Sequence, residues 1–280
     1  MKINKLYNIS DFNKQLNDFT EIYAVEKMIT EKNRGVEKWG HIGYCEVCKT
    51  ASSFTVDWKN SDGITPNFRE STVCPKCKLN NRCRYMIRLL SAFTDEKSCN
   101  QCVIYCYEQV TNFYSVLLEK FISHEVIGSE YFGFNYEPGI VLNGVRHEDA
   151  LSLSFKDESI DFVISNDVFE HVPDIESALM ESFRVLKKEG KLLFSIPFYS
   201  NRNETIKRAE LANGALNHLL PEQYHANPIA NEGSLVFYDI GWDILDKCKQ
   251  AGFRNSYAIG YHSFMYGYLG GMQLVFCASK

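Results

Sequence analysis

Four short apolar runs constrain this chain more than any other feature: CVIYCY at 102–107, HEVIGS at 124–129, IDFVIS at 160–165 and KLLFSI at 191–196. Each is too short for a buried helix and is bounded by polar or turn-forming residues, so each reads as a strand. Helical spacing marks two of the stretches between them. Phe113, Val116, Leu117 and Phe121 share one face, as do Ile175, Ala178, Leu179, Phe183 and Leu186, with Gly190 ending that helix and Pro197 stopping the strand after it. Strands alternating with helices need crossover connections. The predicted fold is therefore α/β, a doubly wound, mostly parallel sheet occupying residues 98–280. A third helix fits 242–250. Two last strands, at 257–261 and 272–278, have no helix between them and pair as an antiparallel edge.

Ahead of that domain, residues 1–38 read as a helical segment, with Phe12, Leu16, Phe19 and Tyr23 on one face and Ser10 or Asp11 as cap. Residues 39–97 lose periodicity and gather Cys, Gly, Asp and Asn before a basic amphipathic helix over 82–93. Cys45 and Cys48 form one C-x-x-C pair and Cys74 and Cys77 another, 25 residues further on. Each pair can aim two thiolates at one point, and four thiolates suit a closed, structural tetrahedral Zn2+. The basic residues Lys76, Lys78, Arg82, Arg84 and Arg88 make either a solvated face or a local anion contact.

Composition narrows the remaining options. Thirty Lys and Arg against 35 Asp and Glu give a formal charge of −5 over 280 residues, so general affinity for nucleic acid is not expected. With 45% hydrophobic and 23% charged residues, the chain is no disordered polymer. No run approaches the roughly 20 apolar residues of a membrane span, and the N-terminus lacks a signal-peptide core. A cytoplasmic protein is expected. Its other cysteines, Cys83, Cys99, Cys102, Cys106, Cys248 and Cys277, then read as small buried residues rather than disulfides.

In an open parallel sheet, ligands bind beyond the carboxyl ends of the strands. Glu108-Gln-Val-Thr111 follows the first strand there, with Thr111 placed to cap the next helix, whose N–H groups can hold a carboxylate or phosphate. Glu130 follows the second strand, 22 residues beyond Glu108, where a carboxylate can accept from two ribose hydroxyls. Asp149 lies in the loop before the third strand and can accept from the exocyclic amine of a base. Asn166 and Asp167 end IDFVIS.

The run EDALSLSFKDESIDFVISNDVFEHVPDIESALMESFRVLKKEGKLLFSIPF, at 148–198, resembles the second half of class I S-adenosylmethionine-dependent methyltransferases of the ubiquinone/menaquinone-methyltransferase-like, type 11 group. The resemblance implies that Glu130 binds the ribose and that Asp149 accepts from the adenine amine with Ala150 beside the base. It places Asn166 and Asp167 near the methionine part and gives Glu108 an acid able to pair with the cofactor ammonium. One departure stands out: the group's first loop is glycine-rich, whereas here it reads Tyr105-Cys-Tyr-Glu-Gln-Val-Thr111 without glycine. Either the cofactor sits further out or binding is lost. The C-x-x-C pairs followed by Leu79-Asn-Asn-Arg82 also resemble a smaller group associated with bacterial surface-polysaccharide genes.

Methyl transfer to a hydroxyl needs in-line placement and removal of a proton. His225, in the insertion after the KLLFSI strand, is the first candidate base, with Tyr224 and Glu222 to orient it; His171 is the second, and His218 lies close by in sequence. The polar stretch 201–235 reads as a lid or substrate loop. Aromatics between Tyr261 and Tyr268 are mostly core, with a few able to stack on a sugar. These residues imply O-methylation of a saccharide or another small, anionic hydroxyl acceptor. The alternatives are an RNA methyltransferase using the zinc module to bind RNA, and a non-catalytic binding protein.

Overall fold

The computed structural model describes residues 1–97, 101–212 and 214–280. The expected domain boundary at 98 and the thiol Cys99 lie outside the described residues. The chain opens with β1 (Lys2–Leu6), α1 (Ile9–Leu16), α2 (Thr20–Lys32), β2 (Lys38–Cys45), β3 (Thr50–Asp57), α3 (Phe68–Ser71) and α4 (Asn81–Lys97). There follow β4 (Val103–Cys106), α5 (Asn112–Lys120), β5 (Glu125–Gly128), β6 (Val141–Leu142), β7 (Val145–Arg146), β8 (Ile160–Asn166), α6 (Ile175–Val185) and β9 (Leu186–Ser195). Short strands come next: β10 (Ile206–Lys207), β11 (Ala209–Ala212), β12 (Ala215–His218), β13 (Tyr224–Asn227), β14 (Ala230–Leu235) and β15 (Tyr238–Asp239). The chain closes with α7 (Ile244–Gln250), β16 (Asn255–Ser263) and β17 (Tyr268–Ser279). Among the described residues, no helix is long and apolar enough to cross a membrane.

Two compact units divide the chain. One holds the described residues of 1–6, 10–98 and 258–275; the other holds those of 7–9, 99–257 and 276–280. Residues 258–275, expected with the C-terminal domain, group with the N-terminal unit. There Lys2 to Leu6 pair antiparallel with His262 to Ala258, a first strand that the sequence reading missed. The expected single N-terminal helix is two, broken by a 3-10 turn over Asn17–Phe19. Phe12 and Phe19 are buried as expected, but Tyr23 is 43% exposed, because the break rotates it off the shared face. Ser10 and Asp11 sit inside α1 rather than capping it.

The basic helix α4 also differs from expectation. Arg84 is wholly buried, stacks over the Phe54 ring at 4.1 Å and donates to the carbonyls of Thr72, Tyr266 and Gly267. Arg82 pairs with Glu70 and Arg88 with Glu46. Three of the five basic residues thus serve this unit's own packing. Tyr261 and Tyr268 are equally buried; Tyr85 stacks on Tyr261 at 3.6 Å and meets Tyr268 edge-on, so neither is exposed to stack on a sugar.

The second unit is built on the expected sheet. β5, β4, β8 and β9 lie in that order, all parallel, and residues Phe276 to Ser279 of β17 pair antiparallel with Phe194 to Lys191 of β9. All seven residues of β8 are buried, the pattern of a strand covered on both faces. α5 carries the chain from β4 out to β5 and α6 carries it from β8 out to β9, in opposite directions across the sheet, so right-handed crossovers set these helices on opposite faces. Asp174 starts α6 by accepting from the N–H groups of Glu176 and Ser177, and its inner face is Ile175, Ala178, Leu179, Ser182 and Val185. The fourth strand starts earlier than predicted: Leu186 already pairs with Ile160, and the register then shifts until Lys191 faces Phe162, with Glu189 left-handed at φ 63°.

Two stretches carry structure of another kind than the alternation implied. Between β5 and β8 there is no helix, only the hairpin β6–β7, turned by Asn143 and Gly144 at φ 51° and 82°. The polar stretch 201–235 is not an open loop; it folds into the hairpins β11–β12 and β13–β14. The cysteines Cys83, Cys102, Cys106, Cys248 and Cys277 are buried, as expected of small core residues.

Candidate active site

The sheet's order changes direction between β4 and β8, since β5 follows on one side and β9 on the other. Such a switch point opens a crevice at the strand tips. Glu108 leaves β4 there and Asn166 ends β8. Asn166 Nδ2 donates to Glu108 Oε1 at 2.6 Å, so the two residues meet at the mouth of the crevice. Beside them Asp167 takes a left-handed backbone at φ 53°; its N–H donates to the Ser195 carbonyl and its Oδ1 accepts from the Ser195 hydroxyl at 2.9 Å.

The glycine-free loop after β4 has a local explanation. None of its described residues, Tyr107 to Thr111, has a positive φ, so its path needs no glycine. Thr111 caps α5 as predicted, accepting from Tyr114 N. The loop N–H groups of Gln109 and Val110 both donate to Glu130 Oε1, at 2.8 and 2.9 Å. Burial raises the Glu130 pKa, and these two donors work against that rise. Close approach is instead supplied by Gly128 at the tip of β5, where a Cβ would stand 2.8 Å from the Glu108 carbonyl and 2.5 Å from the Tyr114 ring.

Asp149 joins this group through the backbone. Glu130 bridges His147, and Glu148 N donates to the Glu130 carbonyl, which leaves Asp149 one residue beyond the paired segment. Asp149 Oδ1 accepts from Leu151 N, fixing the carboxylate in a turn. Burial and, after it, the Asp149 charge raise the Tyr131 phenol above its ordinary value. Ala150 next to it is buried. Gln109, which the sequence reading passed over, ties the loop to the β6–β7 hairpin by accepting from Arg146 N and donating to the Gly144 carbonyl.

The two candidate bases come together. The His171 and His225 rings lie 5.0 Å apart, edge to face. The residue facing both is Glu170, whose Oε1 is 3.5 Å from His171 Nε2 and 3.6 Å from His225 Nδ1. Tyr224 and Glu222 do not orient His225. Neighbours along β13 point to opposite faces; the Tyr224 hydroxyl donates to Glu222, and Glu222 pairs with His218 at 3.4 Å. Gln223 contacts His225 Nε2 instead, at 3.2 Å. Glu170 was legible as part of the Phe-Glu-His-Val-Pro segment but carried no role until its burial was seen.

In the other unit the four cysteines converge. Cys45 and Cys77 sulfurs lie 4.0 Å apart and Cys48 and Cys74 sulfurs 3.8 Å apart. Four sulfurs at about 2.3 Å from a tetrahedral zinc stand about 3.8 Å from one another. Both C-x-x-C turns are followed by a left-handed lysine, Lys49 at φ 51° and Lys78 at φ 60°. Hydrogen bonding to Cys74 pushes the Cys45 thiol up to about 11, while Cys74, accepting from Cys45 and Cys77, is held far below the ordinary thiol value. The donor set and spacing fit a four-coordinate Zn2+.

Residues 124–194 match the family described as "Methyltransferase domain". The mouse arsenite methyltransferase is 44% identical over 66 residues, 24% of this chain and 17% of that protein. Phosphoethanolamine N-methyltransferase 2 of Caenorhabditis elegans is 40% identical over 48 residues, 17% of this chain and 11% of that protein. The chain thus spans under a fifth of the length of either curated relative. Among solved structures, an S-adenosylmethionine-dependent methyltransferase from Mesorhizobium loti aligns with a TM-score of 0.40 and 13% identity, covering 64% of this chain and 90% of that one.

Proposed function

We propose that the chain is an S-adenosylmethionine-dependent methyltransferase with a structural zinc module. The observation that carries this reading is that Glu130, Asp149, Asn166 and Asp167 all fall within the segment matching a methyltransferase domain and gather around the switch point of a parallel sheet. The donor set suits the cofactor. Glu108, held by Asn166, is an anion for its ammonium; Glu130, braced by two loop N–H groups, suits ribose hydroxyls; Asp149, with Ala150 beside it, suits the adenine amine. Cys45, Cys48, Cys74 and Cys77 would hold Zn2+ as a closed site.

Bound S-adenosylmethionine supplies an electrophilic methyl group, which an acceptor oxygen takes while the carbon–sulfur bond breaks and its electron pair stays on sulfur. The chain's part is to align donor and acceptor and to receive the hydroxyl proton. His225 is the first candidate for that proton and His171 the second; the pair sits just past Asp167, and His225 is brought in by the β13–β14 hairpin. The methyltransferase match ends at residue 194, ahead of this hairpin, so it supports the cofactor half rather than an acceptor. The choice of a saccharide or small anionic hydroxyl compound follows the resemblance of the C-x-x-C pairs and Leu79-Asn-Asn-Arg82 to surface-polysaccharide methyltransferases.

The test is transfer of label from methyl-labelled cofactor to panels of saccharides, small anionic hydroxyl compounds and RNA. Label in the first two panels supports the reading. Label in RNA alone would replace it with the RNA alternative.

A further inference from the structure

Glu170 is fully buried, and among the described residues neither carboxylate oxygen has a hydrogen-bond partner. Leaving a buried carboxylate without a donor is costly, so such a group calls for a cation. What faces it are two imidazoles. His171 Nδ1 lies 2.8 Å from the Leu235 carbonyl, which can only accept, so Nδ1 carries a hydrogen and, in the neutral imidazole, Nε2 turns a lone pair toward Glu170 Oε1. His225 Nδ1 faces the same oxygen, while its Nε2 meets the Gln223 amide. The Gln223 atom at 3.2 Å is the amide nitrogen; turning the amide over sets its oxygen against Nε2–H, and Nδ1 then offers a second lone pair.

We infer that Glu170, His171 and His225 form a divalent transition-metal site. The separations from Glu170 Oε1, 3.5 and 3.6 Å, are near the roughly 3.3–3.4 Å between nitrogen and oxygen ligands of a tetrahedral ion. All three ligand atoms lie within 4.8 Å of one another. The second shell is in place, since a histidine ligand ordinarily donates its other N–H to a carbonyl or carboxylate, as His171 does to Leu235. Two imidazoles and a carboxylate suit Mn2+, Fe2+, Co2+ or Zn2+ and leave at least one position open, unlike the four-cysteine site. With an ion there, the imidazoles would serve as ligands in place of the proton-accepting role proposed above; the ion would make an acceptor hydroxyl on the open position acidic enough to lose its proton to solvent water. That consequence rests on the methyl-transfer reading; binding of the ion does not.

The test uses the full chain with zinc loaded, titrated with Mn2+ alone and read by the electron paramagnetic resonance of free Mn2+; thiolate sites discriminate against this ion. One Mn2+ bound per chain, weakened at least about thirtyfold in Glu170→Gln and in His225→Ala but unchanged in His218→Ala, is the expected result. His225→Ala lies on a partly exposed hairpin, so it keeps the test valid if Glu170→Gln fails to fold. Absence of Mn2+, Co2+ or further Zn2+ binding beyond the four-cysteine equivalent would overturn the site, as would unchanged binding in both ligand variants. A protein that binds Mn2+ but no S-adenosylmethionine would contradict the methyltransferase reading alone; the reverse would contradict the metal site alone.

Discussion

Asn166 donates from Nδ2 to Glu108 Oε1 across 2.6 Å, joining the tips of β8 and β4 where the sheet changes direction. The amide fixes the rotamer of the acid that would meet a cofactor ammonium. Asn166→Asp replaces this donor with a second carboxylate at hydrogen-bond distance, a pair that cannot hold two full charges without strain. Cofactor affinity should fall about tenfold or more in the variant, measured by calorimetric titration, while thermal stability changes little. Unaltered affinity would show that Glu108 takes no part in binding.

Gly128 offers a second test of the same crevice. A methyl group there meets the Glu108 carbonyl at 2.8 Å, which is backbone and has little room to give. Gly128→Ala should therefore displace the β4 loop and loosen the contacts of Gln109 and Val110 with Glu130. The expected outcome is a loss of about 1–3 kcal/mol in unfolding free energy, as for overpacked sites, together with weaker cofactor binding. Chemical denaturation and titration read the two effects separately.

The four-cysteine site predicts one zinc per chain by elemental analysis. Cys74→Ser should abolish it and lower the unfolding midpoint of the N-terminal unit, because structural zinc contributes folding free energy directly. Chelation of the wild-type protein should give the same shift, and added Zn2+ should reverse it. A zinc-free protein with an unchanged midpoint would remove the structural role.

Asp174 caps α6, and Asp174→Ala should cost about 1 kcal/mol near neutral pH. Burial works against its ionisation, yet hydrogen bonds from Ser177 and Glu176 hold its pKa below the ordinary value. A depressed carboxylate stabilises the fold above its unfolded pKa and loses that contribution as pH falls through the folded one. The difference between wild type and variant should thus be constant above about pH 5 and shrink below pH 4, in urea denaturation across that range.

Much of the parallel sheet was legible because its strands are buried on both faces and write continuous apolar runs such as IDFVIS. The tips were legible in turn, since Thr111, Asn166 and Asp167 follow from strand ends and capping. Other features depend on contacts distant in sequence. β1 is polar along most of its length and gains its place only by pairing with residues 258–262. Arg84 reads as part of a charged face until the carbonyls of Tyr266 and Gly267 close over it. Glu170 is only a sequence neighbour of His171 until His225 arrives from a hairpin more than fifty residues away. The Asn143-Gly144 turn was present as a signal and marks the hairpin in a stretch to which no element had been assigned.

The cradle proposed for Glu130 and Asp149 is tested most directly by calorimetric titration of the wild-type protein, Glu130→Ala and Asp149→Asn with S-adenosylmethionine. The account predicts a single site in the wild type and affinity weakened at least about tenfold in each variant, a loss of about 1.4 kcal/mol or more. Absence of heat with millimolar cofactor, or equal affinity in all three proteins, would contradict it.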